Sequence, residues 1–175
     1  MKRFIFLFAI ALLMPPAPQA NAASTAQQEI QSVQYLIGTW NCAHTVGTFS
    51  GTYTTTYANA LDNRWIKQTY DFPATSDGPP MQAEYFMGYD EPHQAWVRFG
   101  AMTTGQYFPI RMTDTGNGWS WKYESFFTRH RPETPGSDAT FTRVSDSQYT
   151  VNGPTYKENG TGPLVTEHHV CKKVS

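Results

Sequence analysis

Little in this 175-residue sequence declares a chemistry outright. Cysteine is scarce: Cys42 and Cys171 stand alone with no Cys-x-x-Cys pair, which removes the common thiolate zinc and dithiol redox sites. No Gly-x-Ser-x-Gly elbow, His-Glu-x-x-His pair or phosphate-cradling glycine loop occurs, so the reactions that need those spacings are excluded. Charge is sparse as well, at 15% of residues, and its basic members are scattered. Arg129-His130-Arg131 is the local exception and reads as a solvated loop tip beside Pro132 and Pro135. Nucleic acid is bound through clustered Lys and Arg that neutralise phosphates, so no nucleic-acid partner is expected. The apolar run Phe4–Met14 has eleven residues, well short of the roughly 20 that a membrane-crossing helix needs.

That short run has a different meaning. Lys2 and Arg3 precede it, and a polar stretch carrying prolines follows, ending in Ala20-Asn21-Ala22. A basic start, a short apolar centre and small residues near a cut site read as a secretory signal peptide. It spans residues 1–22, with cleavage after Ala22 or after Ala23. The remainder, residues 23–175, has the size of a single domain, expected to be secreted or periplasmic, with no transmembrane segment after cleavage. Loss of Lys2 and Arg3 takes thirteen basic residues to eleven against fourteen acidic ones, a net charge of −3. In an oxidising compartment the two cysteines predict a Cys42–Cys171 disulfide, with free or intermolecular thiols as the alternative. Closing so long a loop would stabilise by at most about 5 kcal/mol.

Ile30, Val33, Leu36 and Ile37 recur at helical spacing and predict a short helix over 24–37 that packs as a lid or plug. Ser24 with Gln27, or Thr25 with Gln28, can form a capping box, and Gly38 suits the exit. From Thr39 onward, short runs of Thr, Tyr, Phe, Trp and Val alternate with Gly, Pro, Asn and Asp. This predicts strands over 39–46, 51–58, 63–72, 82–89, 94–102, 105–112, 118–125, 139–144, 147–151 and 164–172. Eight to ten meandering strands without helical crossovers predict an all-β, antiparallel up-and-down β-barrel, because closure removes exposed edges. First and last strands pair in such a barrel, so the disulfide would staple its seam.

Tyr35-Leu36-Ile37-Gly38-Thr39-Trp40 resembles the helix-then-Gly-x-Trp opening of lipocalin-like (calycin-type) barrels. The resemblance implies that Trp40 packs under the core and closes the barrel base. Phe86-Met87-Gly88-Tyr89-Asp90, followed by Trp96-Val97, resembles a Gly-Tyr-Asp turn of exported bacterial lipocalin-like domains. Nitrobindin-type haem barrels are similar in the same opening, with a haem-ligating His on a late strand. His168 and His169 match that ligand in position, while Cys42 and His44 stand where those barrels carry glycines.

If Cys42 faces Cys171, then His44 lies opposite His169 on the same face, and the pair could take a metal ion or one axial position of a haem. The apolar residues Leu164, Val170 and Val174 instead turn His168 inward and both Cys171 and His169 outward. A bulge would be needed to reconcile the two, and at most one of these histidines reaches the interior. Tyr85, Met87 and Tyr89, and Trp119, Trp121 and Tyr123, alternate as cavity walls or as plain core. Arg98 and Arg111 each sit between apolar neighbours mid-strand, pointing inward to an anionic head group or snorkelling outward.

The reading is a small-molecule binder, a monomer or weak homo-oligomer, holding an apolar or amphipathic ligand. Its candidate lining is Trp40, Tyr85, Met87, Tyr89, Arg98, Tyr107, Arg111, Trp121 and Tyr123. Two alternatives stand beside it. One is a haem or metal protein using His44 with His168 or His169. The other is an acid–base enzyme drawing on Asp71, Glu84, Glu124 and the histidines.

Overall fold

The computed structural model describes residues 24–75, 78–105, 107–123, 139–157 and 164–174. The expected signal peptide, Glu124 and the Arg129-His130-Arg131 cluster lie outside the described residues. Helix α1 (Thr25–Ser32) starts through the expected capping box. The Gln27 amide donates to Ser24 Oγ at 3.3 Å, and the Ser24 amide donates to Gln27 Oε1 at 3.0 Å. The helix stops sooner than its periodicity predicts. Val33 leaves helical geometry at φ −108°, and a 3-10 turn, Gln34–Leu36, follows. Tightening the last turn lets Ile30, Val33 and Leu36 all reach the core, where each is buried.

Ten strands follow: β1 (Gly38–Val46), β2 (Phe49–Ala60), β3 (Trp65–Phe72), β4 (Met81–Asp90), β5 (Ala95–Met102), β6 (Tyr107–Asp114), β7 (Gly118–Tyr123), β8 (Ala139–Ser145), β9 (Gln148–Lys157) and β10 (Leu164–Lys173). Each pairs antiparallel with its sequence neighbours, and β10 returns to β1 to close the barrel. The expected architecture is therefore the observed one. β2 and β9 outrun the expected spans most. β2 starts at Phe49 because Gly47, at φ +58°, permits a tight turn after Val46. β9 continues through Gly153-Pro154 to Lys157, where turn-forming residues predict a loop, because β10 pairs with it from Leu164 onward. Pairing across the sheet overrides local turn preference there.

Strand alternation sends every second side chain inward, and the interior is graded along the barrel axis. At the end nearest α1, Trp40, Tyr57, Met87, Trp96, Trp119 and Tyr149 are buried in one core. The Trp40 indole donates to the Leu36 carbonyl at 2.7 Å, and the Trp96 indole donates to Glu29 Oε2 at 3.3 Å. The helix and 3-10 turn thus form a plugged floor, with Trp40 at its base. Inward-facing His44, Phe49, Tyr70, Phe72, Met81 and Met102 at the opposite end are only half-buried. That end is the mouth. No described helix is long and apolar enough to cross a membrane.

Candidate functional site

The mouth begins at the barrel seam. Cys42 and Cys171 are disulfide-bonded across the β1–β10 pair, and the same register places His44 opposite His169. Their imidazoles stack with centroids 4.8 Å apart and planes 19° from parallel. His169 is held at both ring nitrogens, with the Tyr53 hydroxyl 3.0 Å from Nδ1 and Glu167 Oε2 3.3 Å from Nε2. An ionised carboxylate only accepts, so Nε2–H donates to Glu167, and in the neutral ring Nδ1 accepts from the Tyr53 hydroxyl. Burial, and then repulsion from His169, hold the His44 imidazole below its ordinary pKa, so it is neutral at neutral pH.

The apolar pattern of β10 is misleading about its facing. Val170 is half-buried and Val174 is 47% exposed, whereas Cys171 is fully buried and His169 turns inward. His168 is exposed and bonds Asn152 on the outer surface. A bulge between Thr166 and His168 absorbs the conflict near the mouth, and the disulfide sets the parity of the rest.

Any paired ligand set for metal or haem therefore excludes His168. Ring-nitrogen lone pairs lie in the ring plane, so the nearly parallel rings of His44 and His169 do not aim at one point, and the nitrogens of His169 are already engaged. No group of three metal-ligating side chains forms among the described residues. The paired set does not fit. Of the stacked pair, His44 is the one whose ring nitrogens make no hydrogen bond among the described residues.

Deeper in the barrel, Arg98 points inward and is 5% exposed. Its guanidinium carbon lies 3.8 Å from the Tyr85 ring centroid and 5.1 Å from that of Trp121, and Nη2 donates to the Tyr70 hydroxyl at 3.0 Å. A cation over aromatic faces in a desolvated site gains about 2 kcal/mol. Burial pushes the Tyr85 hydroxyl up to about 12, against the opposing pull of Arg98. The Trp121 indole N–H is buried with no hydrogen-bond acceptor among the described residues. A guanidinium and an unused donor thus share one aromatic enclosure below the mouth.

The other expected lining residues divide between floor and exterior. Trp40, Met87 and Tyr89 belong to the packed floor or lie against it. Tyr107, at 49% exposure, and Arg111 are on the outer wall, which corrects the expectation that they line the interior. Their neighbours Ile110 and Met112 take the inward positions of β6. Tyr123 pairs with Ile110, and its side chain lies outside the described residues. Glu84 and Asp71 also face outward, where Glu84 pairs with Lys67 and Asp71 accepts from Gln82.

Sequence reasoning missed a buried polar chain beneath the mouth. Gln68 Nε2 donates to Thr55 Oγ1 at 3.2 Å and to the Tyr57 hydroxyl at 2.6 Å, and Tyr57 meets the Tyr149 hydroxyl at 3.1 Å. Burial drives both tyrosine hydroxyls well above their ordinary range. The signal was present: Gln68 alternates in phase with Ile66, Tyr70 and Phe72, so a polar group was bound for the interior.

These features define a class, a closed ten-stranded antiparallel β-barrel with an aromatic-lined interior. No protein-family model matches the chain, and no curated protein matches it significantly. Among solved structures the chain is similar to Rv2717c from M. tuberculosis, with a TM-score of 0.53 and 14% identity over 83% of this chain and 97% of that one. At that identity the likeness shows the fold alone.

Proposed function

We propose that this chain is an exported protein that binds a small, mostly apolar or aromatic molecule bearing a polar or anionic head, inside the barrel. The observation that carries the reading is the enclosure around Arg98. A guanidinium lies buried on Tyr85 beside the unused N–H of Trp121, between a packed floor and a half-covered aromatic mouth. Such pockets hold apolar bodies in aromatic walls and fix orientation with a few polar groups. A carboxylate, sulfonate or phosphate on the ligand would take charge-assisted bonds from Arg98.

An anionic anilinonaphthalene probe tests this against its neutral analogue. Trp121 beside Arg98 makes tryptophan fluorescence the readout. Quenching by the anion that is weakened about tenfold or more in Arg98→Met, with the neutral analogue unaffected, is the expected result. Equal binding of both probes to both proteins would sink the anionic head while leaving a cavity. No binding of either would sink the reading as a whole.

Two competing readings have their own supports. Haem or metal binding rests on His44, and a Soret band or retained metal that disappears in His44→Ala would establish it. General acid–base chemistry rests on the hydrogen-bonded run Tyr53–His169–Glu167, an oriented imidazole at the mouth. Turnover abolished in Glu167→Gln would favour it.

A further inference from the structure

The outer wall of β3–β6 is not the polar surface that alternation would place there. Trp65, Phe86, Val97, Phe99, Pro109 and Tyr107 point outward, with Phe99 at 48% and Tyr107 at 49% exposure. Three of them are in contact: Trp65 meets Phe99 edge-on at 5.5 Å, and Phe86 stacks on Phe99 at 5.9 Å. Gly88 makes room for this arrangement, since a Cβ there would lie 2.6 Å from the Trp65 ring. A contiguous apolar patch on an outer wall marks an interaction surface.

The ladder shows what fits that surface. Phe99 is midway between Val97 and Ala101 on β5. Glu84 is beside Ala101 on β4, and Arg111 is beside Val97 on β6. The carboxylate and the guanidinium therefore sit at equal offsets on opposite sides of Phe99, each one strand across and two residues along. Trp65, level with Val97 through Gly88, and Tyr107, beside Ala101, mark the other diagonal. A two-fold axis lying in the plane of contact, along the Trp65–Phe99–Tyr107 diagonal, does two things at once. It lays the aromatic diagonal on itself, and it brings Glu84 of each copy over Arg111 of the other.

We infer that this wall is the two-fold interface of a homodimer. Isologous contacts need a self-complementary patch, and this one has an apolar ridge flanked by opposite charges. Glu84 and Asp71 lie on one flank, where Lys67 meets Glu84 at 2.7 Å and leaves that flank net negative, and Arg111 and Lys122 lie on the other. An anionic lipid surface would call for one sign throughout, so the charge pattern favours a second copy.

The experiment is sedimentation velocity on the purified full chain over a concentration series, with the variants Arg111→Glu, Glu84→Arg and Phe99→Glu. The wild type is expected to show a monomer–dimer equilibrium. Phe99→Glu should abolish it, and each charge reversal should weaken it by about tenfold or more. An equimolar mixture of Arg111→Glu with Glu84→Arg should associate like the wild type, because the exchanged charges meet their opposites at both contacts. That recovery also excludes misfolding as the cause of the loss. A chain that stays monomeric throughout, or a dimer indifferent to all three substitutions, overturns the inference. So does co-sedimentation with phosphatidylserine vesicles that is lost in Phe99→Glu without any self-association.

Discussion

The imidazole of His44 lies nearly parallel to that of His169, 4.8 Å away, one pleat beyond the disulfide that joins their strands. Each strand carries its cysteine and its histidine two residues apart, so one covalent bond sets both contacts. The seam of the barrel is therefore also the wall of its mouth.

Acid should weaken this seam through His44. Its folded pKa lies below the ordinary value, chiefly through burial, so the unfolded chain takes up the proton first as pH falls. Stability is then complete above about pH 6.5 and declines below it, toward the lowered folded value. Urea midpoints measured at neutral pH and about two units lower should fall further for the wild type than for His44→Gln. Parallel declines would show that His44 does not contribute.

Removing the disulfide should cost much more. Cys42 and Cys171 are 129 residues apart in sequence, and both side chains are buried. Pairing them restricts the unfolded chain, so Cys42→Ala with Cys171→Ala should lower unfolding free energy by about 3–5 kcal/mol. Guanidinium titration of the double variant checks the value. A loss near zero would mean that strand pairing alone holds the seam.

The buried chain from Gln68 should behave as a unit. Gln68→Leu keeps the bulk but removes the donor to both Thr55 and Tyr57, stranding a buried hydroxyl at a cost of about 1–3 kcal/mol. Combined with Tyr57→Phe, the loss should be smaller than the sum of the two single losses, because they share a bond. Strict additivity would contradict the shared network.

Alkali should unfold the barrel cooperatively. Burial holds the hydroxyls of Tyr53, Tyr57 and Tyr149 well above their ordinary pKa. Above about pH 10 the unfolded chain loses these protons before the folded one does, so stability falls as pH rises. Tyrosinate absorbance should appear in two phases, exposed residues first and the buried set together with loss of near-ultraviolet dichroism. One smooth phase would mean that the buried hydroxyls ionise in place.

Arg98 and Arg111 show where sequence reading stops. Val97-Arg98-Phe99 and Ile110-Arg111-Met112 offer the same local text, a cation between apolar neighbours. One arginine is buried on aromatic rings and the other is on the outer wall. Period two states that neighbours face opposite ways, not which way each faces, and that choice is made by partners across the sheet. Trp96 and Arg98 share a face because Met112 and Ile110 lie beside them. The apolar residues outside, Phe99, Val170 and Val174, confuse any count of hydrophobic faces.

The residues by themselves pointed to a capping box at Ser24 or Thr25, to ten strands read from turn formers and β-branched runs, and to a bridge between two cysteines. These depend on local conformational preference and on the scarcity of thiols, both of which are written in order along the chain. Only tertiary structure decided which arginine is interior, which histidine faces the mouth, and that Gln68, Tyr57 and Tyr149 meet. Those outcomes depend on register between strands far apart in sequence, where a shift of one residue reverses every side chain, and closure of the barrel allows a single register to satisfy all the pairs together.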